Sequence, residues 1–164
     1  MAKAKSYIPE GLRTVTAHLV VPNALDAIEF YKKAFGAEVT SHHPGPAPRS
    51  TMHATIRIGD TALMLADEMP QSTAKSPGTA KTTTVSLSVF VPDVDAVFNK
   101  AVAAGAKVTM PLGDQFWGDR YGQVTDPFGH LWELATHKED LTPQELGQRA
   151  AAFFQQMAAQ GPPK

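Results

Sequence analysis

The chain has 164 residues, no cysteine, and 15 basic against 16 acidic side chains, for a formal charge of −1. Those figures exclude disulfides, thiolate metal sites and a cysteine nucleophile, and the lack of a basic stripe argues against nucleic acid as a partner. No run of 18 apolar residues offers a membrane span and no hydrophobic signal core follows the early lysines, so a cytoplasmic protein is expected.

Residues 14–21 are rich in β-branched side chains and predict a first strand. Pro22-Asn23 ends it, with Asn23 placed to cap a helix from Ala24. Leu25, Ile28 and Phe35 recur at helical spacing and predict its core face, and Gly36 supplies the left-handed stop. A second strand starts at Glu38-Val39-Thr40. Residues 43–48 carry three prolines and read as a surface loop, because proline has no N–H for a ladder; His42-His43 beside it read as solvated. Residues 52–58 and 61–65 alternate around Gly59-Asp60 and predict a hairpin with Thr55 opposite Met64. Residues 68–83, rich in Pro, Ser, Thr and Lys, read as a linker.

The second half repeats the order: a strand over 85–91, the cap Asp93, a helix over 94–104, the stop Gly105, and a strand over 107–110. A loop over 113–120 carries Phe116 and Trp117, and a closing hairpin turns at Asp126-Pro127-Phe128-Gly129. In the tail, Thr142-Pro143-Gln144-Glu145 is a capping box with proline at the first helical position. Leu146, Ala150, Phe153, Phe154 and Met157 then form one apolar stripe that needs cover from its own domain or from a dimer partner. Its Gln-rich polar face argues against a membrane.

The order repeats because the sequence does. Gly36 and Gly105 are 69 positions apart, as are Asp26 and Asp95, and Leu63-Met64-Leu65-Ala66 matches Trp132-Glu133-Leu134-Ala135 at the same offset. A period this long is no solenoid. It implies two copies of one module in a pseudo-symmetric fold, with the site where equivalent strands meet.

Two such modules, ending Asp126-Pro127-Phe128-Gly129-His130-Leu131-Trp132-Glu133-Leu134, resemble the vicinal oxygen chelate superfamily of glyoxalase I, bleomycin and fosfomycin resistance proteins and extradiol dioxygenases. The resemblance covers residues 14–137. Phe30-Tyr31-Lys32-Lys33-Ala34-Phe35-Gly36-Ala37-Glu38, Met52-His53-Ala54 and Asp114-Gln115-Phe116-Trp117-Gly118-Asp119-Arg120-Tyr121-Gly122 are similar to its PhnB-like branch. It implies an α+β fold: βαβββ modules at 14–67 and 84–137, joined by the linker 68–83, forming a concave eight-stranded mixed sheet. An N-terminal segment, 1–13, precedes them, and a C-terminal helix and tail, 138–164, follow.

The resemblance also implies a divalent metal held by the first and last strand of each module. The repeat carries those positions onto Thr16, Met64, Ser86 and Glu133. Only Glu133 suits zinc, nickel or iron, so no cofactor is expected, with a divalent metal on the displaced set His18, His53 and Glu133 as the alternative. His53, Thr55 and Arg57 share Met64's face, and His18 shares that of Thr16.

The expected ligand-binding residues are His18, His53, Arg57, Phe116, Trp117, Arg120 and Glu133. Glu133 is the candidate general base in an apolar cavity, or else a structural carboxylate paired with Arg57 or with Arg120. The second case follows from a pairing that sets Gly122 opposite Glu133. Phe116 and Trp117, between Gly113 and Gly118, form a lid on a planar ligand or are simply packed. His130 beside the turn and His137 at the start of the tail have weaker claims. The function expected is binding of a small organic molecule without the usual metal, as antibiotic-binding resistance proteins do. The alternatives are a metal-dependent lyase, isomerase or dioxygenase of the glyoxalase type, or a protein acting only through its dimer surface. A homodimer is expected.

Overall fold

In the computed structural model, which describes residues 3–160, the first half runs β1 (His18–Val21), α1 (Ala24–Phe35), β2 (Glu38–Pro44), β3 (Thr51–Ile58) and β4 (Thr61–Asp67). A short α2 (Pro77–Ala80) follows. The second half runs β5 (Ser86–Phe90), α3 (Val94–Ala103), β6 (Lys107–Asp114), β7 (Asp119–Thr125) and β8 (Leu131–His137), and α4 (Pro143–Gln160) ends the described chain. Residues 1–2 of the expected N-terminal segment and 161–164 of the tail lie outside the described residues. The eight strands expected are present as two four-stranded mixed sheets, ordered β1-β4-β3-β2 and β5-β8-β7-β6. In each, the first and last strands of the module are parallel neighbours.

The repeat survives in the hydrogen bonds that start the helices. Asn23 accepts from the Asp26 N–H at 3.1 Å, and Asp93 from the Ala96 N–H at 3.0 Å. Each helix is also tied to its sheet at an equivalent position. Asp67 Oδ1 accepts the Ala24 N–H at 2.6 Å, and Thr136 Oγ1 accepts the Val94 N–H at 2.9 Å. These bonds satisfy donors that a helix cannot satisfy internally and fix each helix over the same face of its own sheet.

Helix α1 buries Ala24, Ala27, Ile28, Phe30, Tyr31 and Ala34, whereas Leu25 and Phe35, expected in the core, are half-buried. The sector is rotated because α1 packs on the second module as well as on its own sheet. Tyr31 is fully buried with its ring 5.3 Å from that of Trp132, and Phe35 lies 4.5 Å from the same indole.

Asp126 joins the halves. It is 4% exposed and accepts four hydrogen bonds: from Tyr31 Oη at 2.8 Å, from Trp132 Nε1 at 2.9 Å, and from the backbone N–H groups of Phe128 and His130 at 2.9 Å. The His130 ring adds a second tie, with Nε2 3.1 Å from the Val20 carbonyl of β1.

Three local expectations are corrected. His43 and Pro44 belong to β2, where His43 pairs with His53 and Pro44 with Thr51. The strand is the outer one of its sheet, so proline's missing N–H costs no ladder bond. The linker is structured: the fully buried Ser76 donates its N–H and Oγ–H to Glu68 Oε2, at 3.0 and 2.8 Å, and caps α2. The segment 113–120 is a hairpin and not a long loop, since β6 runs to Asp114 and β7 begins at Asp119.

Two measurements test these ties. Tyr31→Phe removes one hydrogen bond to a buried carboxylate and is expected to lower stability by about 1.5–3 kcal/mol in denaturant titration. One backbone N–H bond and one hydroxyl bond from Ser76, with a side-chain bond from Thr79, hold the Glu68 carboxyl at about 2, from an ordinary 4.5. A lowered carboxyl contributes stability above its unfolded value and loses it as pH falls through the folded one. The gap in melting temperature between wild type and Glu68→Gln is therefore expected to hold from neutral pH to about pH 5 and to close toward pH 2.

Candidate functional site

Strand alternation sends every second side chain away from the helices, so each sheet has one open face. On the first sheet, register aligns His18, Met64, Thr55 and Ser41 in one row across all four strands. His53 flanks that row, its ring 5.7 Å from His18, edge to face, and 6.2 Å from His43. Desolvation against the strand surface, then the neighbouring His53, lowers the His18 pKa. Arg57 shares this face but is engaged with the Glu38 carboxylate and the Gly59 carbonyl.

On the second sheet the equivalent row is Ser88, Glu133 and Gln123. Ser88 Oγ donates to Glu133 Oε2 at 2.6 Å, and Gln123 Nε2 donates to the Tyr121 oxygen at 2.7 Å. Desolvation raises the Tyr121 pKa, the Gln123 bond opposes this, and the nearby Glu133 carboxylate adds to it. Phe90, Ala135 and Tyr121 form the next row. Beyond it the Trp117 ring lies 5.4 Å from Tyr121, with its Nε1–H donating to Asp119 at 3.0 Å.

The closing hairpin corrects the expected pairing. Gln123 stands opposite Glu133, and Gly122 stands opposite Leu134 on the helix side. There a Cβ on residue 122 would come within 2.8 Å of the Phe98 ring. The cause is the turn: Asp126 N–H to the His130 carbonyl closes five residues, 126–130, between the paired ends Thr125 and Leu131. A one-residue slip exchanges faces. Arg120 therefore points to the helix side, where it makes two 2.7 Å bonds to Asp95 and one of 3.2 Å to Asp114. Neither arginine expected to pair with Glu133 does so.

The same reading of register moves the strand neighbours of Met64 and Glu133. They are His18 and Ser88, not Thr16 and Ser86; Thr16 precedes β1 and bonds the Arg13 backbone. Phe116 packs on Phe153 of α4, with ring centroids 5.0 Å apart. The glycines expected to free a lid are both committed. Gly113 pairs with Tyr121, and Gly118 (φ 98°) closes a tight turn where a Cβ would meet the Glu139 carbonyl at 2.5 Å. His137 is held by Asp119 and Asp140, which raise its pKa. Ser88, Gln123, Tyr121 and His43 were missed. Ser88 had a signal, since it stands 70 positions from His18, the offset of the two first strands.

The donor chemistry does not fit the four-donor metal centre that the resemblance implies. His18, Met64, Ser88 and Glu133 offer one imidazole, one thioether, one hydroxyl and one carboxylate across two sheets. Among the described residues, no three His, Asp or Glu side chains gather closely enough to hold a metal ion, so the displaced set His18, His53 and Glu133 does not assemble within the chain.

A family model described as the Glyoxalase/Bleomycin resistance protein/Dioxygenase superfamily matches residues 13–134. The chain belongs to that superfamily. An uncharacterised protein of Mycobacterium tuberculosis is 42% identical over 135 residues, which span 80% of this chain and 79% of the relative. The YjdN protein of Escherichia coli is 30% identical over 139 residues, spanning 73% of this chain and 92% of that one. Among solved structures of the superfamily's fold, the protein PA1353 from Pseudomonas aeruginosa superposes with a TM-score of 0.63 at 28% identity, covering 77% of this chain and 99% of that one. TioX from Micromonospora sp. ML1 gives 0.61 at 28%, covering 76% and 98%. A putative 3-demethylubiquinone-9 3-methyltransferase, PhnB protein, from Bacillus cereus gives 0.60 at 24%, covering 76% and 99%, which speaks to the fold alone. No helix among the described residues is long and apolar enough to cross a membrane.

Proposed function

We propose that this chain is a cytoplasmic, small-molecule-binding member of the superfamily, of the PhnB-like branch, and works without a catalytic metal. The observation that carries the reading is Glu133. It has no basic partner among the described residues, yet Ser88 orients it at 2.6 Å on an open sheet face. An oriented carboxylate with spare acceptor capacity contributes little to folding and much to recognising a ligand donor. His18, His53 and Arg57 on the first sheet, with Glu133 and Trp117 on the second, are the proposed contacts. Phe116 and Arg120 act behind them, one seating α4 and the other holding α3. The branch assignment rests on the sequence stretches quoted above.

A calorimetric screen of small organic compounds tests this, run once in EDTA and once with added nickel or zinc. Hits are expected to bind equally in both buffers, to weaken about tenfold in His53→Ala or Glu133→Gln, a loss of about 1.4 kcal/mol, and to be unaffected by Arg120→Ala. Binding that requires added metal, or that falls only in Arg120→Ala, would overturn the proposal.

We also propose that it works as a homodimer. Most of the α4 stripe is uncovered: Leu146 is 38%, Phe154 60% and Met157 54% exposed. The capping box that starts the helix is formed, with Glu145 Oε2 accepting the Thr142 N–H at 2.9 Å, so the ridge is ordered before it meets a partner. A two-fold contact would cover two such ridges at once. Removing residues after Asp140 is expected to lower the melting temperature and shift the mass in solution from dimer to monomer. An unchanged melting temperature and the same mass in both proteins would contradict it.

A further inference from the structure

The two open faces differ in chemistry. The first carries three imidazoles and a guanidinium. The second carries Glu133 among rings and hydroxyls, and the difference points to a class of ligand. Building on the open-face reading above, we infer that the second sheet recognises an organic cation, a substituted ammonium or guanidinium, through the Glu133 carboxylate and the rings of Phe90, Tyr121 and Trp117.

Register places these groups together. Ser88, Glu133 and Gln123 form one row, and Phe90, Ala135 and Tyr121 the next, so the carboxylate sits diagonally beside both rings. Diagonal neighbours on adjacent strands are about 7–8 Å apart at the backbone, within reach of aromatic side chains. Ala135, the small residue between the two rings, is 3% exposed, which means its neighbours roof it. Phe90 is 65% exposed, which leaves its ring open to a ligand. Trp117 extends the aromatic surface past Tyr121, and its hydrogen bond to Asp119 fixes its ring.

Charge completes the case. Among the described residues two carboxylates stand on this face, and one has a basic neighbour: Asp119 Oδ1 lies 2.7 Å from His137 Nδ1. Glu133 is bonded to neutral Ser88, beside neutral Tyr121 and Gln123. Lys107 stands at the outer corner, paired with Thr125, and Arg120 is on the other side of the sheet against Asp95. Aromatic faces attract cations through their quadrupole, and a carboxylate supplies a charge-assisted bond to N–H donors. A carboxylate set among rings rejects anions and gains little from neutral molecules.

Three probes of similar size separate the classes: benzylammonium, benzyl alcohol and phenylacetate, each titrated by calorimetry and Trp fluorescence. The cation is expected to bind about tenfold tighter than either other probe. Glu133→Gln should remove that preference by weakening the cation about tenfold, and Phe90→Ala should weaken the cation about threefold to tenfold. The exposed Phe90 side chain keeps that variant clear of the core, and melting temperatures check all variants. If benzyl alcohol or phenylacetate binds best and His53→Ala or Glu133→Gln weakens it, the cation class is wrong while the open-face reading stands. If the cation binds equally to wild type, Glu133→Gln and Phe90→Ala, or if none of the three binds, the assignment of this face is overturned.

Discussion

The carboxylate of Asp126 is the constraint on which the two-module arrangement rests. A buried charge is tolerable only when its oxygens are fully bonded, and here the four donors come from three places. Two are backbone N–H groups of its own turn, one is the indole of the strand that follows, and one is the phenol of a helix in the other module. Turn, sheet and inter-module contact are thereby settled together. Burial and the Asp126 charge push the Tyr31 phenol well above its ordinary pKa, so it remains a donor throughout the range in which proteins work. Because Asp126 sets the length of the closing turn, it also decides which side chains of β7 stand beside Glu133. A residue inside the core thus determines the chemistry of a face it does not touch.

The repeat preserves the scaffold and lets the faces diverge. Asp67 and Thr136 differ in chemistry but give the same bond to the first turn of a helix. Met64 and Glu133 occupy equivalent places on the last strands, and His18 and Ser88 on the first. A single module would have presented one surface twice. Two diverged copies present an imidazole-rich surface and an acidic aromatic one on the same backbone.

Strand and helix order, the caps at Asn23 and Asp93, and the first hairpin were legible in the sequence because each has a local cause. Two residues at Gly59-Asp60 leave one pairing, and Thr55 does stand opposite Met64. The closing hairpin was not legible in the same way. Its turn length depends on how the Asp126 carboxylate bonds the backbone, and no hydrophobic pattern reports that. One residue of error sent Arg120 to the wrong face and kept Tyr121 and Gln123 out of the site. The burial of Tyr31 was hidden for a related reason: helical spacing gives the face toward one sheet, whereas α1 serves two modules. The structured linker escaped notice because its composition is that of a loop, and only the Glu68–Ser76 bonds show otherwise.

The most direct test of the central claim, that small molecules meet this protein on the open sheet faces, is chemical-shift mapping of isotope-labelled protein with any compound found to bind. Perturbations are expected at residues 18, 53, 88, 121 and 133, with little change around Asp95, Phe98 and Arg120 on the helix side. Shifts centred on α1, α3 and Arg120, with the open rows unmoved, would contradict it.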